Sequence, residues 1–323
     1  MNPLAASPHL LMLIAAFIFG ANYIVGRGVV GEVPPYTLGF VRWAGAALIL
    51  APFTWRYVRA DRARLRRSWK LLALCGTLMP FLGAGIAYVA LVHTIALNAG
   101  IIQASLPVLT ILLAWAVLGD RITALQAGGA AIAIVGVLAI VIRGDPTTLL
   151  TLSFNWGDVL MVVSNLALAS YAVAMKRAPR DLHPMTVLTV ICAVGGLVHV
   201  PFVVAELARG ELIRPTAGAL LALLFVATLP SVGAITLWNN GIVRLGPSRA
   251  SMYIYLVPVV TAVLGYLFLG EAIAAYHLVG GAMIIMGVAA STRAKSAASR
   301  PAPETPAARA LGKPKPISSL SEP

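Results

Sequence analysis

Polar and aromatic side chains recur inside the long apolar stretches of this chain, at the spacing of a single helix face. Phe19, Asn22 and Tyr23 fall at positions i, i+3 and i+4, so they form one continuous stripe on a helix. An asparagine amide offers a hydrogen-bond donor and an acceptor, and a tyrosine adds an aromatic wall with a polar tip. The stripe predicts a surface that binds a small polar solute, although Asn22 could equally bond to a neighbouring helix.

Other apolar stretches carry residues of the same kind. Asn98 and Ser105 lie seven residues apart and so share a helix face, and Ser164 and Tyr171 have the same spacing. The further candidates are Tyr88, Trp238, Asn239, Ser251 and Tyr255. Any single serine or tyrosine could instead pack one helix against another. Taken together, these residues predict the lining of a substrate cavity.

Arg42 is the one charge that lies well inside an apolar stretch. It could attract an anionic or carboxylate-bearing solute, but a structural anchor that bonds to carbonyl groups is the favoured interpretation. Asp120, Asp158 and Glu271 stand at the ends of such stretches, whereas proton-coupled antiporters generally use a carboxylate deep in the membrane. The pattern predicts a neutral or zwitterionic solute and a weak dependence of transport on a pH gradient.

The sequence indicates no catalytic centre, no metal site and no cofactor. Cys75 and Cys192 both lie in apolar stretches, which excludes a disulfide framework. We find no HExxH motif, no phosphate-binding glycine-rich loop and no Ser/His/Asp set. An intramembrane enzyme and a channel remain as weaker alternatives, the channel because the sequence has no rings of charge or repeated carbonyl filters.

The elements that must position these residues are membrane-spanning helices. Of the 323 residues, 59% are hydrophobic and 11% are charged, whereas soluble proteins carry about 25% charged residues. A helix needs about 20 apolar residues to cross the hydrocarbon core. Ten such stretches predict spans at 10–30, 36–54, 70–92, 96–118, 123–142, 157–176, 184–206, 217–241, 248–269 and 272–291.

The distribution of Lys and Arg orients these spans. With the N-terminus in the cytoplasm, nineteen of them lie on the cytoplasmic side and four on the other side. This bias predicts that both termini are cytoplasmic. The basic run from Arg56 to Lys70 predicts contact with anionic lipid. No basic groove with interleaved aromatic residues is apparent, so a nucleic-acid site is not predicted. No obligate protein partner is evident.

The chain contains an internal repeat. Its paired positions lie 149 to 151 residues apart and include Pro35 and Pro184, Pro80 and Pro230, Pro107 and Pro258, Gly129 and Gly280, and Gly136 and Gly287. Five spans in each copy would make the second copy enter from the opposite face, as in the inverted repeats of secondary transporters. We therefore predict an all-α polytopic membrane protein of ten transmembrane helices in two inverted five-helix repeats.

The repeat also sets the predicted organisation of the chain. The first repeat covers 10–142 and the second covers 157–291. A cytoplasmic tail at 1–9, a linker at 143–156 and a disordered cytoplasmic tail at 292–323 complete the chain.

Four paired prolines lie deep within the predicted spans: Pro80, Pro107, Pro230 and Pro258. Proline removes a backbone donor and bends a helix. The bends could act as hinges during alternating access, or they could be static curvature.

Short motifs in both repeats resemble a known family. They are Phe19 to Tyr23, Phe40 to Arg42, Leu118-Gly119-Asp120 and Leu269-Gly270-Glu271. In their order and duplication they resemble the drug/metabolite transporter superfamily, specifically ten-helix exporters with two EamA-type repeats, and are similar to amino-acid exporters of the YddG type. The family usually has Gly-Glu after the fourth and ninth spans, and Asp120 departs from that pattern.

The resemblance implies a multi-pass protein of the bacterial inner membrane that exports small molecules, amino acids foremost. It also implies a cavity between the two halves, lined by the helices that carry the polar and aromatic stripes. Other metabolites or drugs, with or without proton coupling, are the alternative solutes.

Overall fold

A computed structural model describes residues 7–145, 155–177, 182–245 and 251–298. The first six residues, the middle of the predicted linker and the predicted tail from residue 299 lie outside the described residues. The regular structure within these ranges is entirely helical. In chain order the helices are α1 (Pro8–Gly28), α2 (Pro35–Ala60), α3 (Arg62–Gly76), α4 (Ile86–His93), α5 (Ala96–Gln103), α6 (Leu106–Leu118), α7 (Ala124–Val141), α8 (Trp156–Met175), α9 (Pro184–Ala208), α10 (Ala217–Thr228), α11 (Ala234–Leu245), α12 (Leu256–Leu264) and α13 (Ala275–Ala298).

The helical runs have the length and composition of membrane spans. Seven are long and apolar enough to cross a bilayer, and the bent pair α5–α6 would make an eighth. Two further apolar runs are shorter than the length required to cross a bilayer: Tyr253–Leu269, which contains α12, and Ala275–Ser291, which is the first part of α13. The described part of the chain is thus a polytopic helical membrane protein, and the number of ten spans stays a prediction. Helix α13 continues to Ala298, past the predicted boundary at 291.

Proline and glycine determine where these helices start and stop. Proline occupies the first turn of α1, α2 and α9, where its missing N–H would have no helical partner. Gly119 follows the last residue of α6, and Gly270 follows the π-helical segment Gly265–Leu269 that continues α12. Their φ angles are 70° and 65°. This left-handed conformation suits glycine because it has no Cβ atom. The two glycines occupy matching positions of the sequence repeat.

Each of the four prolines that lie deep within the predicted spans is at an irregularity of the backbone. Pro80 lies in a π-helical segment, Thr77–Gly85, and Pro230 lies in another, Leu229–Gly233. Pro107 is the second residue of α6, just after a 43° bend from α5. Pro258 lies in the first turn of α12, which follows the 3-10 helix Ser251–Tyr255. The missing N–H of proline accounts for the interrupted hydrogen-bond ladder.

Helices α7 and α13 pack in very close contact through paired glycines. A Cβ atom added to Gly129 would lie 2.5 Å from the carbonyl oxygen of Gly287, and one added to Gly136 would lie 2.7 Å from that of Gly280. The pairing of 129 with 287 and of 136 with 280 makes the two helices antiparallel. Small residues allow such close approach of helix backbones in membranes.

Helices α2 and α9 are joined by carboxylates at both ends. At one end, the Glu206 side chain accepts hydrogen bonds from the backbone N–H groups of Tyr36 and Thr37, each at 2.8 Å. It also accepts one from the Thr37 hydroxyl at 2.7 Å. The first turn of a helix has N–H groups without partners in the helix itself, and a carboxylate satisfies them.

At the opposite end, Asp61 at the end of α2 reaches the start of α9. Its carboxylate accepts hydrogen bonds from the backbone N–H of His183 and from the Thr186 hydroxyl, both at 3.2 Å. Burial acts to raise the pKa of Asp61, but these two donors and Arg64, at 2.9 Å, outweigh it, and the pKa lies below its ordinary value. The ionised carboxylate therefore stabilises the fold at neutral pH, and this contribution is lost as the pH falls through the lowered pKa.

The close glycine contact generates a prediction with a control in the same helix. Gly129→Ala should lower the free energy of unfolding by about 1–3 kcal/mol, because the new methyl group meets backbone that cannot move aside. Gly128 has no atom within 4 Å of an added Cβ. Gly128→Ala should therefore be neutral, or stabilising by up to about 1 kcal/mol through helix propensity. Thermal unfolding in detergent measures both variants, and equal midpoints would contradict the predicted contact.

Candidate functional site

Arg42 lies at the centre of a buried polar cluster. Arg42 is 7% exposed, and its Nε donates a hydrogen bond to Ser231 Oγ at 2.9 Å. Its Nη1 donates to Tyr88 Oη at 2.9 Å and makes a longer contact of 3.5 Å with Asn22 Oδ1. The four residues come from α1, α2, α4 and the π-helical segment after α10. We call Asn22, Arg42, Tyr88 and Ser231 the Arg42 cluster.

The neighbours of Arg42 use their own hydrogen atoms elsewhere. Ser231 Oγ donates to the carbonyl oxygen of Val226 at 2.7 Å, and Tyr88 Oη donates to Asn22 Oδ1 at 2.8 Å. Ser231 and Tyr88 therefore present lone pairs to the guanidinium. The sequence predicted Asn22, Tyr88 and Arg42 separately, and the structure brings all three together.

The charge of Arg42 is balanced by aromatic rings rather than by an acid. Among the described residues, no carboxylate lies within salt-bridge distance of its guanidinium. The guanidinium carbon is 4.7 Å from the centre of the Trp43 ring and 5.7 Å from that of Tyr88. Such cation–π contacts compensate part of the charge. Arg42 is thus a buried cation without an anionic partner in the part of the chain that the structure describes.

Aromatic residues flank the cluster. Phe19, one helical turn before Asn22 on α1, contacts Trp238 of α11 edge to face at 5.8 Å between ring centres. Both rings are partly exposed. Tyr23 faces another helix and donates to Gln103 Oε1 of α5 at 2.7 Å. Gln103 was not among the predicted site residues because it lies off the helix face that carries the predicted pair on that stretch.

Asn98 belongs to a second buried network, separate from the Arg42 cluster. Its amide nitrogen donates to both carboxylate oxygens of Asp158, at 3.0 and 3.1 Å, and the Thr94 hydroxyl donates to the same carboxylate. The backbone N–H of Ala274 donates to His277 Nδ1 at 2.8 Å, so the Nε2–H of His277 donates to Asn98 Oδ1 at 2.9 Å. This chain of bonds satisfies a buried carboxylate with neutral donors.

The start of α5 holds a further carboxylate. Glu271 accepts hydrogen bonds from the backbone N–H groups of Ala96 and Leu97 at 2.8 and 2.9 Å. The turn at Gly270 directs the chain into this contact. The Gly270-Glu271 pair therefore has a structural role, since Glu271 stabilises the N-terminus of α5.

Two predicted serines hold irregular backbone in place. Ser105 Oγ donates to the carbonyl oxygen of Ile102 at 2.7 Å, at the bend between α5 and α6. Asn165 on α8 donates to the same carbonyl at 2.6 Å. Ser164 Oγ donates to the carbonyl oxygen of Gly83 at 2.6 Å, within a π-helical segment. Both serines are buried and bond to backbone rather than to the Arg42 cluster.

The remaining predicted residues lie elsewhere. Tyr171 packs, partly buried, against the apolar cluster around Leu72 and Cys75. Tyr255 packs against the main apolar core, and Asn239 is exposed. The side chain of Ser251 lies outside the described residues. None of these three described side chains joins the Arg42 cluster.

A cavity of about 630 Å³ lies between α1 and α10, and its lining is almost wholly apolar. Its walls include Val25, Leu221 and Phe225, and no member of the Arg42 cluster lines it. In the described ranges, no group of three or more His, Cys, Asp or Glu side chains could hold a metal ion.

Several known proteins similar to this chain are described as transporters or exporters. A Bacillus subtilis protein described as the uncharacterized transporter YyaM is 28% identical over 86% of this chain and 91% of its own length. A probable terminal-alkyne amino-acid exporter of Streptantibioticus cattleyicolor is 30% identical over 72% of this chain and 74% of its own length. The uncharacterized inner membrane transporter YedA of Escherichia coli is 26% identical over 86% of this chain and 88% of its own length.

A solved crystal structure has the same fold, with a TM-score of 0.59 at 18% identity, over 91% of this chain and 99% of that one. The sequence profile of the EamA-like transporter family matches residues 6–142 and 155–293, one match on each predicted repeat. The relatives and the family are transporters, not enzymes. This chain belongs to the EamA-like transporter family and is a multi-pass membrane transporter.

Proposed function

We propose that this protein exports small neutral or zwitterionic metabolites, amino acids foremost, by alternating access. The path is a central cavity between two inverted five-helix repeats, ten spans in all. The observation that carries the proposal is the Arg42 cluster, in which Ser231 of one half bonds directly to Arg42 of the other at 2.9 Å. A solute bound at this junction contacts both halves, so their relative movement changes the side from which it is accessible.

The aromatic contact supports the same site. Phe19 belongs to the first half and Trp238 to the second, and their edge-to-face contact lies one turn from Asn22. Partly exposed rings beside buried hydrogen-bonding groups suit a solute with a polar and an apolar end. The Streptantibioticus relative, described as an amino-acid exporter, supports amino acids as the first solutes to test.

Location and orientation are part of the proposal. The Escherichia coli relative is described as an inner membrane transporter, which supports the bacterial inner membrane for this chain. The excess of Lys and Arg on one side supports cytoplasmic termini. All seven Lys and Arg residues from Arg56 to Lys70 are exposed along the end of α2 and the start of α3. We assign them to contact with anionic lipid headgroups.

Counterflow in proteoliposomes tests the proposed function. Vesicles loaded with unlabelled amino acids should accumulate trace labelled Thr, Met or Phe above the level of protein-free vesicles, without an applied ion gradient. Asn22→Ala and Trp238→Ala should each reduce the initial rate by about fivefold, because each removes a contact with the solute worth about 1 kcal/mol. Asn239→Ala is the matched control, since Asn239 is exposed. Absence of accumulation for every label would contradict amino-acid transport.

Transport should depend only weakly on a pH gradient. In the described part of the chain, the four buried carboxylates each accept hydrogen bonds at or beside the start of a helix. They are Asp61, Asp158, Glu206 and Glu271. Protonation would weaken these structural bonds, so none is free to carry protons in a transport cycle. Counterflow rates with and without a pH gradient should agree within about twofold; strict proton dependence would contradict this.

The bend before Pro107 is proposed to act as a hinge. Pro107→Ala restores a backbone N–H and should stiffen the junction of α5 and α6, which slows counterflow at least about threefold while membrane insertion stays normal. Pro52 lies within the uninterrupted helix α2, and its side chain is exposed. Pro52→Ala should leave the rate unchanged. An unchanged rate in Pro107→Ala would show that the bend is static curvature.

A further inference from the structure

The Arg42 cluster has more hydrogen-bond donors than acceptors. Arg42 uses Nε and Nη1, and Nη2 has no acceptor among the residues that the structure describes. The amide nitrogen of Asn22 likewise has no acceptor there, although its oxygen is occupied by Tyr88. These donors lie in a cluster that is almost, but not wholly, covered by protein. A solute with acceptor atoms would satisfy them.

Trp43 adds a donor of the same kind. Its indole ring lies under the guanidinium of Arg42, and its Nε1–H is buried without a hydrogen-bond partner in the described ranges. A buried donor without an acceptor is uncommon in folded proteins and calls for an explanation by an unseen acceptor. Two adjacent residues of α2 thus each have one nitrogen donor, Nη2 of Arg42 and Nε1 of Trp43, without an acceptor among the described residues.

The charge of the cluster, like its unsatisfied donors, indicates a solute that carries acceptor atoms. Arg42 carries a positive charge with no carboxylate bonded to it in the described part of the chain. The buried carboxylates there are engaged elsewhere, three by backbone N–H groups at helix starts and Asp158 by the side chains of Asn98 and Thr94. A buried cation is costly without an anionic partner. An anionic solute supplies both the missing charge and the missing acceptor atoms.

The number and shape of the donors select the class of anion. One guanidinium matches one carboxylate, whose two oxygens can accept two parallel N–H donors. A phosphate monoester carries up to two negative charges, and no second Lys or Arg is hydrogen-bonded into the cluster among the described residues. The cluster therefore fits a monocarboxylate.

The acceptors of the cluster are already used. Ser231 Oγ accepts from Arg42, and Asn22 Oδ1 accepts from Tyr88. The neighbouring Gln103 Oε1 accepts from Tyr23. Among the described residues, a solute ammonium group would thus find no carboxylate at the cluster, and only amide and hydroxyl oxygens that already accept a hydrogen bond. Recognition depends on the carboxylate and gains nothing from a free amino group.

We propose that the Arg42 cluster is a carboxylate-binding site that does not require a solute ammonium group. This inference rests on the proposed function and redefines its solute class as monocarboxylates with an apolar portion. That class keeps zwitterionic amino acids, excludes solutes without a carboxylate and adds organic anions. Amino acids belong to this class, and so do their N-acyl and deaminated analogues. The carboxylate lies at Arg42 and the apolar portion contacts Phe19 and Trp238.

Four matched probes test the proposal: L-phenylalanine, N-acetyl-L-phenylalanine, 3-phenylpropionate and L-phenylalaninamide. The first three carry a carboxylate, and the amide keeps the ammonium group but lacks the acid. Thermal stabilisation of the purified full-length protein should give apparent affinities for the three acids within about threefold of each other. The amide should bind at least about tenfold more weakly.

The outcomes separate this proposal from the proposed function. Equal binding of the amide, failure of the two acids that lack an ammonium group, or no stabilisation by any probe would overturn the carboxylate site. The same probes serve as competitors in counterflow. If the three acids stabilise the protein but no label accumulates in vesicles, the binding site stands and the transport proposal fails.

Two substitutions connect the effect to the cluster. Trp43→Phe keeps the ring under the guanidinium and removes the N–H, so it should weaken the three acids at least about threefold and leave the amide unchanged. Arg42→Gln should abolish the preference for acid over amide in protein that still folds. Trp115→Phe is the control, because Trp115 is 55% exposed on α6. An unchanged ratio of acid to amide affinity in Trp43→Phe and in folded Arg42→Gln protein would overturn the proposal.

Discussion

The structure depends on carboxylates that satisfy the starts of buried helices. A membrane offers no water to the free N–H groups of a helix's first turn, and each unsatisfied group there costs several kcal/mol. Glu206 meets this requirement for α2, and Glu271 meets it for α5. Asp61 does the same for α9. These contacts join segments far apart in the chain, so the same bonds that satisfy helix ends also hold the two halves together.

This use of the acids determines the electrostatics of the interior. With the buried carboxylates engaged near helix ends, the charge of Arg42 has no acid to pair with among the residues that the structure describes. Trp43 and Tyr88 compensate part of it through their rings, and Ser231 accepts one of its hydrogen bonds. The close glycine contact of α7 with α13 contributes no polar group of this kind. The buried cation and its hydrogen-bond partners lie where α1, α2 and α4 meet the segment after α10, and this is where we propose that a solute is recognised.

Helical spacing predicts which residues share a face, but not which neighbour that face meets. For this reason the sequence identified Asn22 and Arg42, and it predicted bends at the paired prolines, yet it could not pair Arg42 with Ser231, 189 residues away. The same limit applies to Asn98, which the sequence predicts as a cavity-lining residue and which lies against Asp158 rather than in the Arg42 cluster. It also explains Gln103, which bonds to Tyr23. Distances between helices decide these pairings, and the sequence pattern does not contain them.

Among the described residues, the charge of Arg42 is compensated by aromatic rings and neutral hydrogen-bond acceptors rather than by an acid. This kind of compensation affects how a solute carboxylate could bind. If Arg42 were paired with an acid of the protein, a solute carboxylate would have to displace that acid, and binding would gain little. If Arg42 had no compensation at all, the empty carrier would be unstable and the solute would bind too tightly to leave. The ring of Trp43, 4.7 Å from the guanidinium carbon, provides an intermediate state that needs no counter-ion in the empty protein. In the proposed carboxylate site, partial compensation of this kind would let an anionic group enter and depart, which a carrier requires of its binding site.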